Sequence, residues 1–182
     1  MLKRVKKYIK NAILHNKHYQ KIRWNKKYDE QDPYGYKNNP DDIRRKDRII
    51  GIAKKYCPVN GYKMALDIGA GEGWITTDLP AEEIYGYDTS DIAMSRFPSN
   101  VKPIQSIHKD MVFDLIIATG VLYEGYGYKW IIKKINECAS MIVITCNIKE
   151  SEQGIGMLQG KEIFYEEFDY RNFVEILRVF KY

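Results

Sequence analysis

Histidine and cysteine are scarce in this chain of 182 residues, with three of each. Cys57, Cys138 and Cys146 form no C-x-x-C pair, and His15, His18 and His108 stand at no metal-ligand spacing. A structural zinc site and a disulfide framework are therefore set aside, and a reducing, cytoplasmic setting fits best. No apolar run approaches the ~20 residues of a membrane span. The basic start is followed only by Ala12-Ile13-Leu14, too short for a signal-peptide core. Repeats and low-complexity tracts are missing too. What remains is the composition of an ordinary globular protein, one domain with an extension, long enough to bury about 70% of the surface its unfolded chain exposes.

Acidic residues are missing from the first 28 positions. Lys3, Arg4, Lys6, Lys7, Lys10, Lys17, Lys21, Arg23, Lys26 and Lys27 precede the first acid, Asp29, which leaves the remainder of the chain net acidic by five. The sequence divides accordingly into a basic arm, residues 1–31, and a domain, residues 32–182. Two readings of the arm stay open. Residues 3–27 suit an anionic partner such as nucleic acid, a membrane surface or a phosphorylated substrate. Alternatively the arm is an amphipathic helix from residue 3 to about 20, docked on the domain through Val5, Ile9, Ala12 and Ile13.

The most informative stretch runs from Met64 to Trp74. An apolar run ends in Asp67, and Gly69, Gly71 and Gly73 follow at alternate positions. Glycines there accept backbone angles that other residues resist, and without Cβ atoms they let a ligand lie against the main chain. A dinucleotide loop of the G-x-G-x-x-G type needs a glycine at position 74, where Trp74 stands instead. A second short strand, Ile84 to Tyr87, ends in Asp88, about 20 residues beyond Asp67. An acid in that place of a nucleotide-binding α/β fold accepts ribose hydroxyls.

This pair of motifs resembles motifs I and II of the class I S-adenosylmethionine-dependent methyltransferases. The resemblance spans about residues 32–182. It implies a Rossmann-like α/β fold with a seven-stranded sheet in the order 3-2-1-4-5-7-6, its last strand antiparallel, with helices on both faces. It also implies S-adenosyl-L-methionine as cofactor. Asp67, Gly69, Ala70, Gly71 and Gly73 would hold its methionine part, Asp88 its ribose, Thr89 would turn along the adenosine, Ser106 and Ile107 would meet its adenine, and Thr119 and Gly120 would contact it from the loop after the fourth strand. The family often places an acid after the third strand; here Ile107 stands near that position, flanked by Ser106 and His108.

Other segments narrow the resemblance. Asp32-Pro33-Tyr34-Gly35-Tyr36 and Phe113-Asp114-Leu115-Ile116-Ile117-Ala118-Thr119-Gly120-Val121-Leu122-Tyr123 are similar to segments of nodulation-type N-methyltransferases, which act on a glucosamine amine. Gly120 stands where those sequences often carry glutamate. The tyrosines of the first segment either close over the pocket or pad the surface. Trp74 is either a core anchor or a border of the substrate mouth, and Tyr123 either faces the ligand or packs under the sheet.

The remaining pattern predicts helices over 40–56 (capped by Asn39, with Ile43, Ile49, Ile50, Ile52 and Ala53 covering the sheet), 72–79, 91–97 and 129–139. Strands are expected over 63–68, 100–107, 112–119 and 141–147, with a terminal hairpin over 161–170 and 172–182. The chain reads as a complete core without substrate-lid insertions.

Methyl transfer to an amine needs a neutral acceptor nitrogen, so a base is useful. Glu124 is the first candidate, with Tyr123 and His108 behind it, and Tyr123 to Tyr128 suit a sugar or amine. No Asn-Pro-Pro-Tyr or Asp-Pro-Pro-Tyr box follows the fourth strand, and Cys57-Pro58 reverses the Pro-Cys order of cytosine-C5 enzymes. The expectation is a methyltransferase acting on an amino sugar or another small polar acceptor. A nucleic-acid methyltransferase and a cofactor-binding partner subunit without activity are the alternatives.

Overall fold

The computed structural model describes residues 17–124 and 127–182. The arm's expected docking residues Val5, Ile9, Ala12 and Ile13, together with Gly125 and Tyr126, lie outside the described residues. Helix α1 (Lys17–Lys27) runs on past the expected end near residue 20, because no breaker interrupts Trp24 to Lys27 and Trp24 Nε1 donates to Gln20 Oε1 one turn earlier.

Seven strands form one sheet in the order β3-β2-β1-β4-β5-β7-β6, matching the expected order. Strands β1 (Tyr62–Ile68), β2 (Ala81–Tyr87), β3 (Val101–Pro103), β4 (Phe113–Thr119) and β5 (Ala139–Ile148) are parallel. The hairpin β6 (Lys161–Tyr170) and β7 (Phe173–Lys181) completes it, with β7 antiparallel to β5. Central strands buried on both faces read as continuous apolar runs, as in Leu115-Ile116-Ile117-Ala118, every one of them closed to solvent.

Helix α2 (Pro40–Lys55) covers one face. Asn39 Oδ1 caps it by accepting the Asp41 N–H at 2.9 Å, and Asp41 and Asp42 complement its positive end. Ile49, Ile50 and Ala53 are buried as expected, but Ile43 is exposed. The inward face runs through Asp42, Arg45, Ile49 and Ala53, so two charged residues occupy the turns nearest the ligand loop. Helix α4 (Tyr128–Cys138) covers the other face with Ile131, Ile132 and Ile135.

Three expectations need correction. Residues 72–79 form turns and a short 3-10 helix (Thr76–Asp78), not an α-helix, because Gly73 holds φ +81° and the Thr76 hydroxyl bonds inward to Asp67. The expected strand over 100–107 shrinks to Val101–Pro103 at the sheet edge, the place in a sheet that tolerates a proline; the Ile104 N–H makes a last bond to the Gly86 carbonyl. Helix α3 spans only Asp91–Met94, capped by Ser90.

Candidate active site

At the carboxyl ends of β1, β2 and β4 the sheet reverses direction, since β2 lies on one side of β1 and β4 on the other. Such a switch point opens a crevice. Here it holds a cavity of about 660 Å³, within the range of small-molecule sites. Ile68, Gly69, Asp88, Thr119 and Gly120 form its floor. Gln20, Trp24, Tyr28, Tyr34 and Tyr36 wall it on the arm side, and Tyr170, Arg171 and Glu175 on the hairpin side. A small annex runs under the glycine loop between Asp67, Arg45, Gly71 and Trp74.

The loop is shaped by its glycines. Gly69 sits at φ +83°, and a Cβ there would stand 2.3 Å from Val121 Cγ1, so only glycine fits. The Gly69 and Ala70 N–H groups donate to the Tyr87 carbonyl. Gly73 is needed for a different reason from the one anticipated: its missing Cβ makes room for Pro98, 2.8 Å away, and it lines neither the cavity nor the annex.

Asp67 is 2% exposed, and its Oδ2 accepts the Thr76 hydroxyl at 2.6 Å, while Oδ1 is buried with no partner. Burial pushes this carboxyl up to about 7. One of its oxygens is left without a donor. Asp88 accepts the Gly71 N–H on Oδ2 at 2.9 Å and the Ser90 N–H on Oδ1 at 2.8 Å, which tethers strand β2 to the glycine loop and leaves lone pairs on both oxygens. Burial raises it to about 6, against the pull of those N–H donors.

Of the other anticipated residues, Thr89, Thr119, Gly120 and Tyr123 line the cavity. Gly120 holds φ +70° with its N–H on the Cys146 carbonyl, and Asn147 Oδ1 accepts the Val121 and Leu122 N–H groups, so the loop after β4 is fixed by β5. Ala70 lines only the annex. Ser106 is exposed and bonded to His108 Nε2, and Ile107 is 3% exposed in the core, so neither is among the cavity's lining residues; Gln105 is. Glu124 and His108 are exposed and are not among them either. Trp74 packs on the core with Lys46 over its ring at 4.1 Å, bordering the annex and not the main mouth.

Sequence reading missed the charged pair beneath the crevice. Arg45 Nε donates to Glu175 Oε2 at 2.5 Å, Arg45 Nη2 reaches the Cys146 carbonyl, and the Cys146 thiol also donates to Glu175. Beside it, Arg171 and the Tyr170 hydroxyl hold Asp42, and Arg171 Nη2 donates to the Tyr34 carbonyl, tying the hairpin turn to the arm side. A signal existed for both: Arg45 falls in phase with Ile49 and Ala53 on α2, and Glu175 with Leu177 and Val179 on β7.

No family model and no curated protein matches this sequence. Solved structures do match it in three dimensions. Magnesium protoporphyrin IX methyltransferase from Synechocystis PCC 6803, solved with bound SAM, superposes with TM-score 0.57 at 16% identity over 76% of this chain and 79% of that one. A SAM-dependent methyltransferase from Aquifex aeolicus gives 0.53 at 11% identity over 83% of this chain and all of that one. The 4+2 cyclase SpnF gives 0.61 at 12% identity over 74% of this chain and 80% of that one. The fold is that of the class I methyltransferases. In the class I arrangement found here, the glycine loop after β1 and the acid after β2 share one crevice with the loop after β4. Among the described residues no group of histidine, cysteine, aspartate or glutamate could hold a metal, and no helix is long and apolar enough to cross a membrane.

Proposed function

We propose that this chain is an S-adenosylmethionine-dependent methyltransferase acting on a small polar acceptor such as an amino sugar. The observation that carries the reading is the orphaned Asp67 Oδ1 beside a glycine loop whose neighbour, Asp88, keeps lone pairs free on both oxygens. The residues present fit the cofactor. Asp67 would accept its ammonium, Arg45 at the annex its carboxylate, and Asp88 its ribose hydroxyls, while Gln105 and Trp130 lie within the cavity wall where a base could stack and bond.

Bound there, S-adenosylmethionine supplies a methyl group on a positively charged sulfur; a bond from the acceptor atom forms as the carbon–sulfur bond breaks, and the electron pair stays on sulfur. The protein's part is alignment and exclusion of water. Tyr28 and Tyr36 cover the glycine loop from the arm side. Tyr28 is 6% exposed, and its hydroxyl stands 2.8 Å from where a Gly71 Cβ would be. Tyr123, half-buried beside Gly120, is the remaining candidate among the three proposed catalytic residues that faces the cavity.

The test is calorimetric titration with S-adenosylmethionine, followed by transfer of labelled methyl to sugars, RNA and protein. Saturable heat lost in Asp67→Ala and Asp88→Ala supports the assignment; no heat removes it. Donor binding without turnover of any acceptor would mark a cofactor-binding partner subunit. A second reading rests on α1, whose exposed Arg23, Lys26 and Lys27 suit a nucleic-acid acceptor; RNA binding that falls steeply with salt would favour it.

A further inference from the structure

Glu175 is the one carboxylate on the hairpin side of the cavity among the described residues. It is 1% exposed, and its Oε2 is occupied by Arg45 Nε at 2.5 Å and the Cys146 thiol at 3.1 Å. Both of its side-chain hydrogen bonds among the described residues fall on Oε2 and none on Oε1, and Glu175 is among the residues lining the cavity. Its register opposite Ile148 on β5 and its pairing with Arg45 set it one guanidinium from the loop after β4: Arg45 Nη2 stands 3.8 Å from where a Gly120 Cβ would be.

The surroundings favour a cation over a neutral guest. Tyr36, Tyr123 and Tyr170 line the same end, and their ring faces attract positive charge. Tyr170 already carries the Arg45 guanidinium 5.2 Å from its centroid. Five carboxylates, Asp42, Asp67, Asp88, Asp91 and Glu175, stand around this crevice against three cations, Lys21, Arg45 and Arg171. S-adenosylmethionine brings a net single positive charge, from its sulfonium, ammonium and carboxylate. One negative charge is left over.

From these observations we infer that Glu175, through Oε1, is the acceptor-binding residue of this site, and that the acceptor is an amine captured as its ammonium between Glu175 and the tyrosines, which passes one N–H proton to Oε1 so that the freed nitrogen lone pair can bond the methyl carbon as the carbon–sulfur bond breaks. The inference rests on the methyltransferase reading above and narrows it, from nitrogen or oxygen acceptors to amines. An alcohol of the same shape would make a neutral hydrogen bond to the carboxylate and leave the charge excess uncompensated. Charge-assisted bonds are about twice as strong as neutral ones, so an amine is preferred by about tenfold or more.

The experiment is calorimetry on protein saturated with S-adenosylhomocysteine, using two matched pairs of probes: glucosamine against glucose, and tyramine against 4-(2-hydroxyethyl)phenol. The expected result is at least one amine binding about tenfold or more tighter than its alcohol. Glu175→Gln should abolish that preference while the variant still binds S-adenosylhomocysteine saturably. Because Glu175→Gln leaves Arg45 without its counter-charge, Glu175→Asp is the companion variant: it keeps the charge, withdraws it by one methylene, and should retain the fold with a reduced preference. Equal affinity for amine and alcohol, binding of neither amine, or an undiminished preference in both variants overturns the inference and leaves the methyltransferase reading standing. Failure of S-adenosylhomocysteine itself to bind removes both.

Discussion

Asp67 couples ligand binding to a stability cost that can be measured without any substrate. Its carboxyl is lifted from 3.8 to about 7 in the folded protein by burial. A group raised on folding contributes no penalty below its unfolded value; the penalty grows as pH climbs from about 4 to 7 and is constant above that. At about 1.4 kcal/mol per pH unit, the native state carries about 4 kcal/mol of penalty at pH 8, and about 1.5 kcal/mol at pH 5. Asp67→Asn removes the titration while keeping an acceptor for the Thr76 hydroxyl. Whatever its fixed effect on packing, its stability relative to wild type should therefore improve by about 2.5 kcal/mol between pH 5 and pH 8. For a chain of this length that is a relative rise in melting temperature of about 5–10 °C. The same variant should bind S-adenosylmethionine about 10- to 150-fold more weakly, the worth of one charge-assisted hydrogen bond. Thermal unfolding at the two pH values and one donor titration decide it. A stability difference that does not change with pH, or a variant that binds the donor as wild type does, would refute the reasoning.

Donor affinity in the wild type should fall below about pH 7, by roughly tenfold per unit as Asp67 takes a proton, and about twice as steeply on a logarithmic scale below about pH 6 as Asp88 follows; titration across pH 5–8 in buffers of different ionisation enthalpy checks this. Gly69→Ala should cost about 1–3 kcal/mol in urea denaturation, since its Cβ would meet Val121 Cγ1 at 2.3 Å and its φ is +83°. Arg45→Met should cost about 3–5 kcal/mol by stranding Glu175, and the double variant Arg45→Met with Glu175→Leu should recover most of it. Gln105→Ala should weaken the donor several-fold while Ser106→Ala leaves it unchanged, as only Gln105 lines the cavity.

What was legible in the sequence is what depends on near neighbours along the chain. The glycines at 69, 71 and 73, the Asn39 cap and the alternation of apolar strands with helices are local facts, while the sheet order was expected only through the family resemblance those motifs carry. Glu124 and His108 were attractive because they stand near the right strands, but short polar loops turn such residues to solvent. Arg45 and Glu175 were passed over because their meaning arises only when residues 130 positions apart meet. Residues 72–79 looked helical by composition, yet one glycine angle and one inward hydroxyl outweigh that propensity.

The crevice wall combines Tyr34, near the start of the described chain, with Arg171, 137 positions later, joined through a guanidinium and a carbonyl. During synthesis the early tyrosines leave the ribosome long before the hairpin that braces them exists. The parallel strands can assemble first, but the ligand chamber is sealed only once the hairpin has been made. A nascent chain arrested before β7 would carry the complete glycine loop and still present an open, unbraced cleft.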